Sequence, residues 1–155
     1  MATIDVERQE IDAFVIRKEI EIDAPTNIAF EAVLEELGPA AQMPDGTTLA
    51  MKFEPWPGGR WYRDLGNNAG HLWGHVQVIK PPVLIEITGP MPMSYPAINH
   101  VQYRLKETKG GKTLLTFVHR AMGLIQPEHR DGMPAGWQHW LEQIRDLAEQ
   151  KARRR

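Results

Sequence analysis

Pro134-Ala135-Gly136-Trp137-Gln138-His139-Trp140-Leu141-Glu142-Gln143-Ile144-Arg145-Asp146-Leu147-Ala148 is the stretch whose reading decides the fold. Trp137, Trp140, Leu141, Ile144, Leu147 and Ala148 recur at the three-and-four spacing of a helix, so they share one apolar stripe. Pro134 suits a first turn and not a helix interior, because its ring removes one backbone donor and clashes with the preceding turn. The spacing therefore predicts a long helix starting near Pro134, after a short helical piece at 127–131. No other stretch of the chain is both long and apolar enough to cover a sheet.

Upstream of that helix the pattern changes from a period of 3.6 to a period of two. Strands are predicted over 113–122 and 97–106, joined by the Lys109-Gly110-Gly111-Lys112 turn. Residues 89–96, Gly-Pro-Met-Pro-Met-Ser-Tyr-Pro, hold too much proline for a strand interior. Further strands read over 83–88, 71–79, 60–65 and 48–54. The turns between them fall at Pro81-Pro82, at Gly66-Asn67-Asn68-Ala69-Gly70, and around Pro57-Gly58-Gly59. A loop over 39–47 precedes them. Ile28, Phe30, Val33, Leu34 and Leu37 mark a shorter helix ended by Gly38-Pro39, with Asp23 or Thr26 as its expected cap. A first strand over 14–22 alternates Phe14, Ile16, Ile20 and Ile22 with polar neighbours. Residues 1–12 read as a polar, flexible leader, and 13–152 as one domain. Consecutive strands with tight turns pair antiparallel. The fold class is thus α+β: a curved antiparallel sheet of six to seven strands wrapped around the C-terminal helix.

Composition narrows the function classes. The 155 residues carry a net charge of -2, with 42% hydrophobic and 25% charged residues. That balance exerts no general pull on nucleic acid or an acidic membrane. The basic run Lys151, Arg153, Arg154 and Arg155 reads as a solvated helix end suited to the helix dipole. The chain has no cysteine, which excludes disulfides, thiolate metal sites and cysteine nucleophiles. There is no apolar signal core at the start, and no apolar run near the roughly 20 residues of a membrane span. A soluble, cytoplasmic protein without membrane insertion is expected.

Motifs spread along the chain carry a family resemblance. Glu21-Ile22-Asp23-Ala24-Pro25 is followed by Ala29-Phe30-Glu31-Ala32, then Pro57-Gly58-Gly59-Arg60-Trp61. Gly74-His75-Val76 leads into Pro81-Pro82 and Leu84, and Gly136-Trp137 opens the last helix. In this order and spacing, over about residues 14–150, they resemble the helix-grip fold of the START/Bet v 1-like (SRPBCC) superfamily. Within it the chain is similar to the bacterial branch related to the C-terminal domain of the Hsp90 ATPase activator Aha1. The resemblance implies a cavity between sheet and helix for apolar or aromatic small molecules. Some relatives are cyclases or aromatases, others lipid carriers. One fold hosting several activities cannot choose among them. The stretch from Pro90 to Pro96 departs from the family's shorter connection.

Several chemistries are removed by absence. Ser94 is the only serine, held between Pro92 and Pro96, with no G-x-S-x-G around it. Gly58-Gly59 and Gly110-Gly111 are turn glycines and not phosphate loops. His71 and His75 read as sharing one strand face about 13 Å apart, too far to ligate one zinc. No metal and no cofactor is expected. His139 and Glu142 lie three apart on the helix, where a surface hydrogen bond is the plain reading.

What remains is a container. Its expected walls are Trp61, Arg63, Tyr103, Phe117 and His119 from the strands, with Trp137, Trp140 and Leu141 from the helix. If Val101, Tyr103 and Leu105 face inward, His100 and Gln102 face out, and His119 is the buried histidine beside Leu115 and Phe117. Met91, Met93 and Tyr95 form the expected lid. The leading expectation is a binder of an apolar or aromatic small molecule. The alternatives are a cyclase- or aromatase-like enzyme using His119 or Tyr103, and an Hsp90 cochaperone-like interaction module. Hsp90 itself is not the expected partner. Subunit count stays open, a homodimer included.

Overall fold

The computed structural model describes residues 5–155; the first four residues of the expected leader lie outside them. Residues 5–11 carry no regular structure. The elements then run β1 (Asp12–Ile22), α1 (Thr26–Leu37), β2 (Met51–Phe53), β3 (Arg60–Gly66), β4 (Ala69–Lys80), β5 (Leu84–Gly89), β6 (Ala97–Thr108), β7 (Lys112–Gly123) and α2 (Pro127–Arg153). The seven strands form one antiparallel sheet in the order β1-β7-β6-β5-β4-β3-β2. Each strand from β2 to β7 therefore lies beside its sequence neighbour, and β1 closes onto β7.

Alternation sets the inner face. Val101, Tyr103 and Leu105 on β6 are buried, as are Leu115, Phe117 and His119 on β7. His100 points the other way and meets Glu86 at 2.8 Å. The two helices pack on that inner face. The Trp61 indole N–H on β3 donates to the Leu37 carbonyl at the end of α1, 2.8 Å away. Thr113 Oγ1 donates to the Ala24 carbonyl at 2.7 Å and fixes the entry to α1. Lys151 reaches Glu35, and Arg155 reaches Glu31 at 2.9 Å, so the basic end of α2 is tied to α1 and not merely solvated.

Four details differ from the sequence reading. The last helix starts at Pro127, and Pro134 sits inside it. The carbonyl that Pro134 cannot bond belongs to Arg130, which is exposed, so water can replace the missing donor. The first helix has Pro25 at its cap with no side-chain bond, and neither Asp23 nor Thr26 caps it. Asp23 instead donates its backbone N–H to the Glu149 carboxylate at 2.9 Å. The second strand is only three residues long, because Ala50 takes φ 53° and breaks the extended run.

The fourth difference concerns the histidines of β4. A register shift puts Trp61 opposite Gly74 but Tyr62 opposite Leu72. This bulge reverses the alternation, a standard effect of one extra residue. His71 pairs with Arg63 on the inner face and His75 with Arg60 on the outer one, so the two do not share a face. Gly74 is needed there. A Cβ on it would come within 2.9 Å of both Ile87 and the Thr88 carbonyl.

Candidate functional site

Large side chains occupy the space between sheet and helix. Trp61, Tyr103, Phe117 and Leu141 are each at most 1% exposed and belong to one apolar cluster. Tyr103 and Phe117 meet edge to face at 5.1 Å, and Phe117 lies 4.4 Å from the Trp137 ring. Four of the five tryptophans make a continuous chain across the grip. Trp61 meets Trp73 at 5.1 Å, Trp73 stacks on Trp140 at 6.1 Å, and Trp140 meets Trp137 at 5.5 Å. Burial pushes the Tyr103 phenol well above its usual range, with the nearby Glu36 carboxyl adding to the effect. Glu36, on α1, is itself buried with one carboxyl oxygen unpartnered among the described residues. Desolvation raises its pKa to about 8, so it is protonated at neutral pH.

One polar chain crosses this apolar filling. The Trp137 indole N–H donates to His119 Nδ1 at 3.0 Å. Nδ1 must then carry the lone pair, and Nε2–H donates to Asn99 Oδ1 at 2.7 Å. The Asn99 amide in turn donates to the carbonyls of Gly89 (3.2 Å) and Pro90 (3.1 Å), with Met93 Sδ at 3.5 Å. Every ring nitrogen of His119 is engaged. Burial lowers its pKa to about 4, so the ring is neutral at pH 7. A ring with both nitrogens committed is a brace between α2, β7 and the 89–96 segment, and not a free acid or base.

Open space lies at the edge of the grip. A recess of about 340 Å³ opens between the N-terminal half of α2, the 91–92 segment, Trp73 and the Met43-Pro44 loop. That volume is at the lower end of small-molecule sites. Its wall is apolar, with Met43, Met91, Met133, Trp73, Trp137 and Trp140 supplying most of it. Glu128, His129 and His139 are the titratable members. His129 Nδ1 is 2.7 Å from the Tyr95 hydroxyl and its ring stacks on that tyrosine. Tyr95 also accepts the Gln126 N–H at 3.3 Å, so the 89–96 segment is strapped to the start of α2. His139 Nε2 and Trp73 Nε1 have no hydrogen-bond partner among the described residues.

The residues singled out from sequence thus separate. Trp137, Trp140 and Met91 line the recess. Trp61, Tyr103, Phe117, His119 and Leu141 lie behind it, in the packed core. Arg63 stands with His71 in a polar hollow over the β3–β4 hairpin. Of the expected lid, Met91 and Met93 are each 2% exposed, and Met91 N–H is held by the Trp73 carbonyl at 2.8 Å. His139 does not meet Glu142, whose carboxylate takes the Gln138 amide at 3.0 Å. Sequence reasoning passed over Trp73, Met43, Met133, Gly132 and Gly136 as wall residues. Their helical or strand periodicity marks burial, and two loops decide which buried faces stay open. Among the described residues, no three His, Asp or Glu gather as a metal-ligand group.

A family model described as Activator of Hsp90 ATPase homolog 1-like protein matches residues 23–149. The chain belongs to this family. The matched span begins and ends on the pair that the structure joins, Asp23 N–H and the Glu149 carboxylate. The Aha1-like, SRPBCC-type assignment also agrees with solved structures. A putative uncharacterized protein from Rhizobium leguminosarum superposes with a TM-score of 0.72 at 16% identity, covering 93% of this chain and 99% of its own. A protein of unknown function from Staphylococcus aureus gives 0.69 at 15% identity, covering 93% and 98%. A protein from Chromobacterium violaceum gives 0.65 at 23% identity, covering 87% and 96%. These identities carry the fold alone. No curated protein matches the chain significantly. No helix of the described residues is long and apolar enough to cross a membrane.

Proposed function

We propose that this Aha1-like chain binds an apolar or aromatic small molecule in the recess at the N-terminal half of α2. The observation that carries this reading is an apolar hollow of about 340 Å³ lined by Met43, Met91, Met133, Trp73, Trp137 and Trp140, with Glu128, His129 and His139 as its titratable members. An apolar wall with few polar groups is the usual make-up of such sites.

Native mass spectrometry tests the reading. The protein, incubated with an organic extract of cells, should retain one small molecule per chain and melt at a higher temperature than the untreated sample. A spectrum showing only bare protein, with no change in melting, would refute it. The cyclase-like alternative loses its first candidates, since His119 is fully hydrogen-bonded and Tyr103 is buried behind the recess. An acid–base role would have to fall to His139, whose Nε2 is uncommitted. Wild-type protein that turns over no aromatic polyketone would remove that alternative, and turnover that is lost in His139→Ala would support it.

A further inference from the structure

The strand order leaves the sheet with two edges, β1 and β2, and they are unequal. β2 is three residues long, cut short by Ala50 at φ 53°. β1 runs for 11 residues and pairs with β7 without a register shift. It contains neither a proline nor a bulge, two devices that blunt an exposed edge.

The backbone groups on the open side of β1 can be assigned. Along an antiparallel strand, successive residues turn their N–H and C=O alternately to one side and the other. Ala13 N–H goes to the Asp12 carboxylate at 2.8 Å, and Asp23 N–H to the Glu149 carboxylate at 2.9 Å. Neither goes to β7. Both residues are odd-numbered, so the N–H and C=O of Val15, Arg17, Glu19 and Glu21 also face the open side. None of the four finds a backbone or side-chain partner there among the described residues.

Side chains restrict what can add to this edge. Phe14, Ile16, Lys18, Ile20 and Ile22 form the inward-facing row of β1, with Asp12 at its start. Lys18 is the one cation of that row, and it has no ion-pair partner among the described residues. An inward-pointing charge keeps an edge from pairing with strands at large. It admits a strand that sets a carboxylate opposite. Asp12 is that carboxylate, half exposed even while it holds Arg130 at 3.0 Å. Asp12 and Lys18 lie equally far from Val15, one on either side. Val15 itself is exposed on the outer face. Beside it Ala13, Met122 and Ile98 make an exposed apolar row across β1, β7 and β6.

The geometry points to the open edge of β1 as the interface of a two-fold homodimer, with Val15 opposite Val15 of the partner subunit. The two β1 strands run antiparallel, and both sheets join into one. Val15 and Val15 of the partner subunit exchange N–H and C=O, as do Ala13 and Arg17 of the partner subunit. Phe14 meets the partner's Ile16, and Lys18 meets the partner's Asp12, twice over by symmetry. An axis at Arg17 or at Lys18 would set that cation against its own copy, and like charges directly opposite are destabilising. Glu149 already occupies the far end of the edge at Asp23, which also places the axis in the first half of the strand.

Sedimentation and cross-linking test this on the whole chain. Wild-type protein should be a dimer at high concentration and dissociate on dilution. Lys18→Glu and Asp12→Lys should each weaken the dimer about tenfold or more, since each sets two pairs of like charges face to face. Mixed together, the two variants should form a heterodimer about as tight as the wild-type dimer, because every opposed pair is again Lys against a carboxylate. That recovery also shows that both variants fold. The chain has no cysteine, so one introduced thiol reports its own position. Opposed residues of a hydrogen-bonded antiparallel pair lie about 5.5 Å apart at Cα, within reach of a disulfide. Val15→Cys should therefore cross-link under mild oxidation. Arg17→Cys should not, since its two copies would lie about 14 Å apart. Wild-type protein that stays a monomer at every concentration would overturn the dimer. So would a mixture no tighter than either variant alone, or equal cross-linking at positions 15 and 17.

Discussion

Protonating His119 would turn a well-bonded ring against its neighbour. Its Nδ1 lone pair faces the Trp137 N–H, so a proton there would set two donors against each other. The unfolded ring takes up a proton near pH 6.5, while the folded one does so only at about 4. Between those values the unfolded state binds more protons, so His119 withdraws stability as pH falls from 6.5 toward 4. The slope is about 1.4 kcal/mol per pH unit. Titration of the histidine ring protons by NMR should show His119 staying neutral to below pH 5 with its proton on Nε2. A His119 ring that titrates above pH 6 would rule out the brace. The inward direction of His119 was legible from alternation with Leu115 and Phe117. Its partners were not, because Asn99 lies 20 residues away and Trp137 is 18 away on another element.

Elements were legible wherever a period ran uninterrupted. The alternating runs of β6 and β7 and the apolar stripe of α2 read directly. Errors fell where backbone chemistry overrode the period. Pro134 looked like a helix start and is a helix interior, since an exposed carbonyl tolerates its missing donor. The bulge in β4 reversed His71 against His75, and no residue type announces a bulge at Leu72–Gly74. The 89–96 segment was read as a mobile lid, yet Asn99 holds its start and the Tyr95–His129 contact holds its end. Asn99→Ala removes the donors to Gly89 and Pro90 and orphans His119 Nε2–H. It should cost about 1–3 kcal/mol in urea unfolding, the usual penalty for stranding buried polar groups. It should also speed hydrogen exchange at the Met91 amide, while amides in the centre of β7 slow or speed only with global stability. Unchanged exchange at Met91 would mean that the strap is held by Tyr95 alone.

At the scale of the whole molecule, strand order and helix position followed from the sequence, and the place of the recess did not. The inner face presents side chains large enough to fill the centre of the grip, and the apolar recess lies where the 39–50 and 89–96 loops cross its rim. Filling the grip also buries a carboxyl. Glu36 is protonated up to about pH 8 in the folded state but ionises near 4.5 when exposed. Over that range the folded state binds more protons, so stability declines as pH rises, again by about 1.4 kcal/mol per unit. His119 acts in the opposite sense between 4 and 6.5, and the two largely cancel there. Urea unfolding should therefore show wild-type protein losing stability relative to Glu36→Gln as pH is raised from 5 to 8. Parallel curves for the two proteins would show that Glu36 is not buried in solution.

The chain of touching indoles that spans the grip has an optical consequence. Rings at such separations share their electronic excitation, so Trp61, Trp73, Trp140 and Trp137 behave as one coupled chromophore. Their near-ultraviolet circular dichroism should be intense for a protein of this size. It should report on the mutual angle of α2 and β4 before any unfolding begins. Trp56, 55% exposed and outside the chain, should contribute little to that signal, so Trp56→Phe should leave it nearly unchanged.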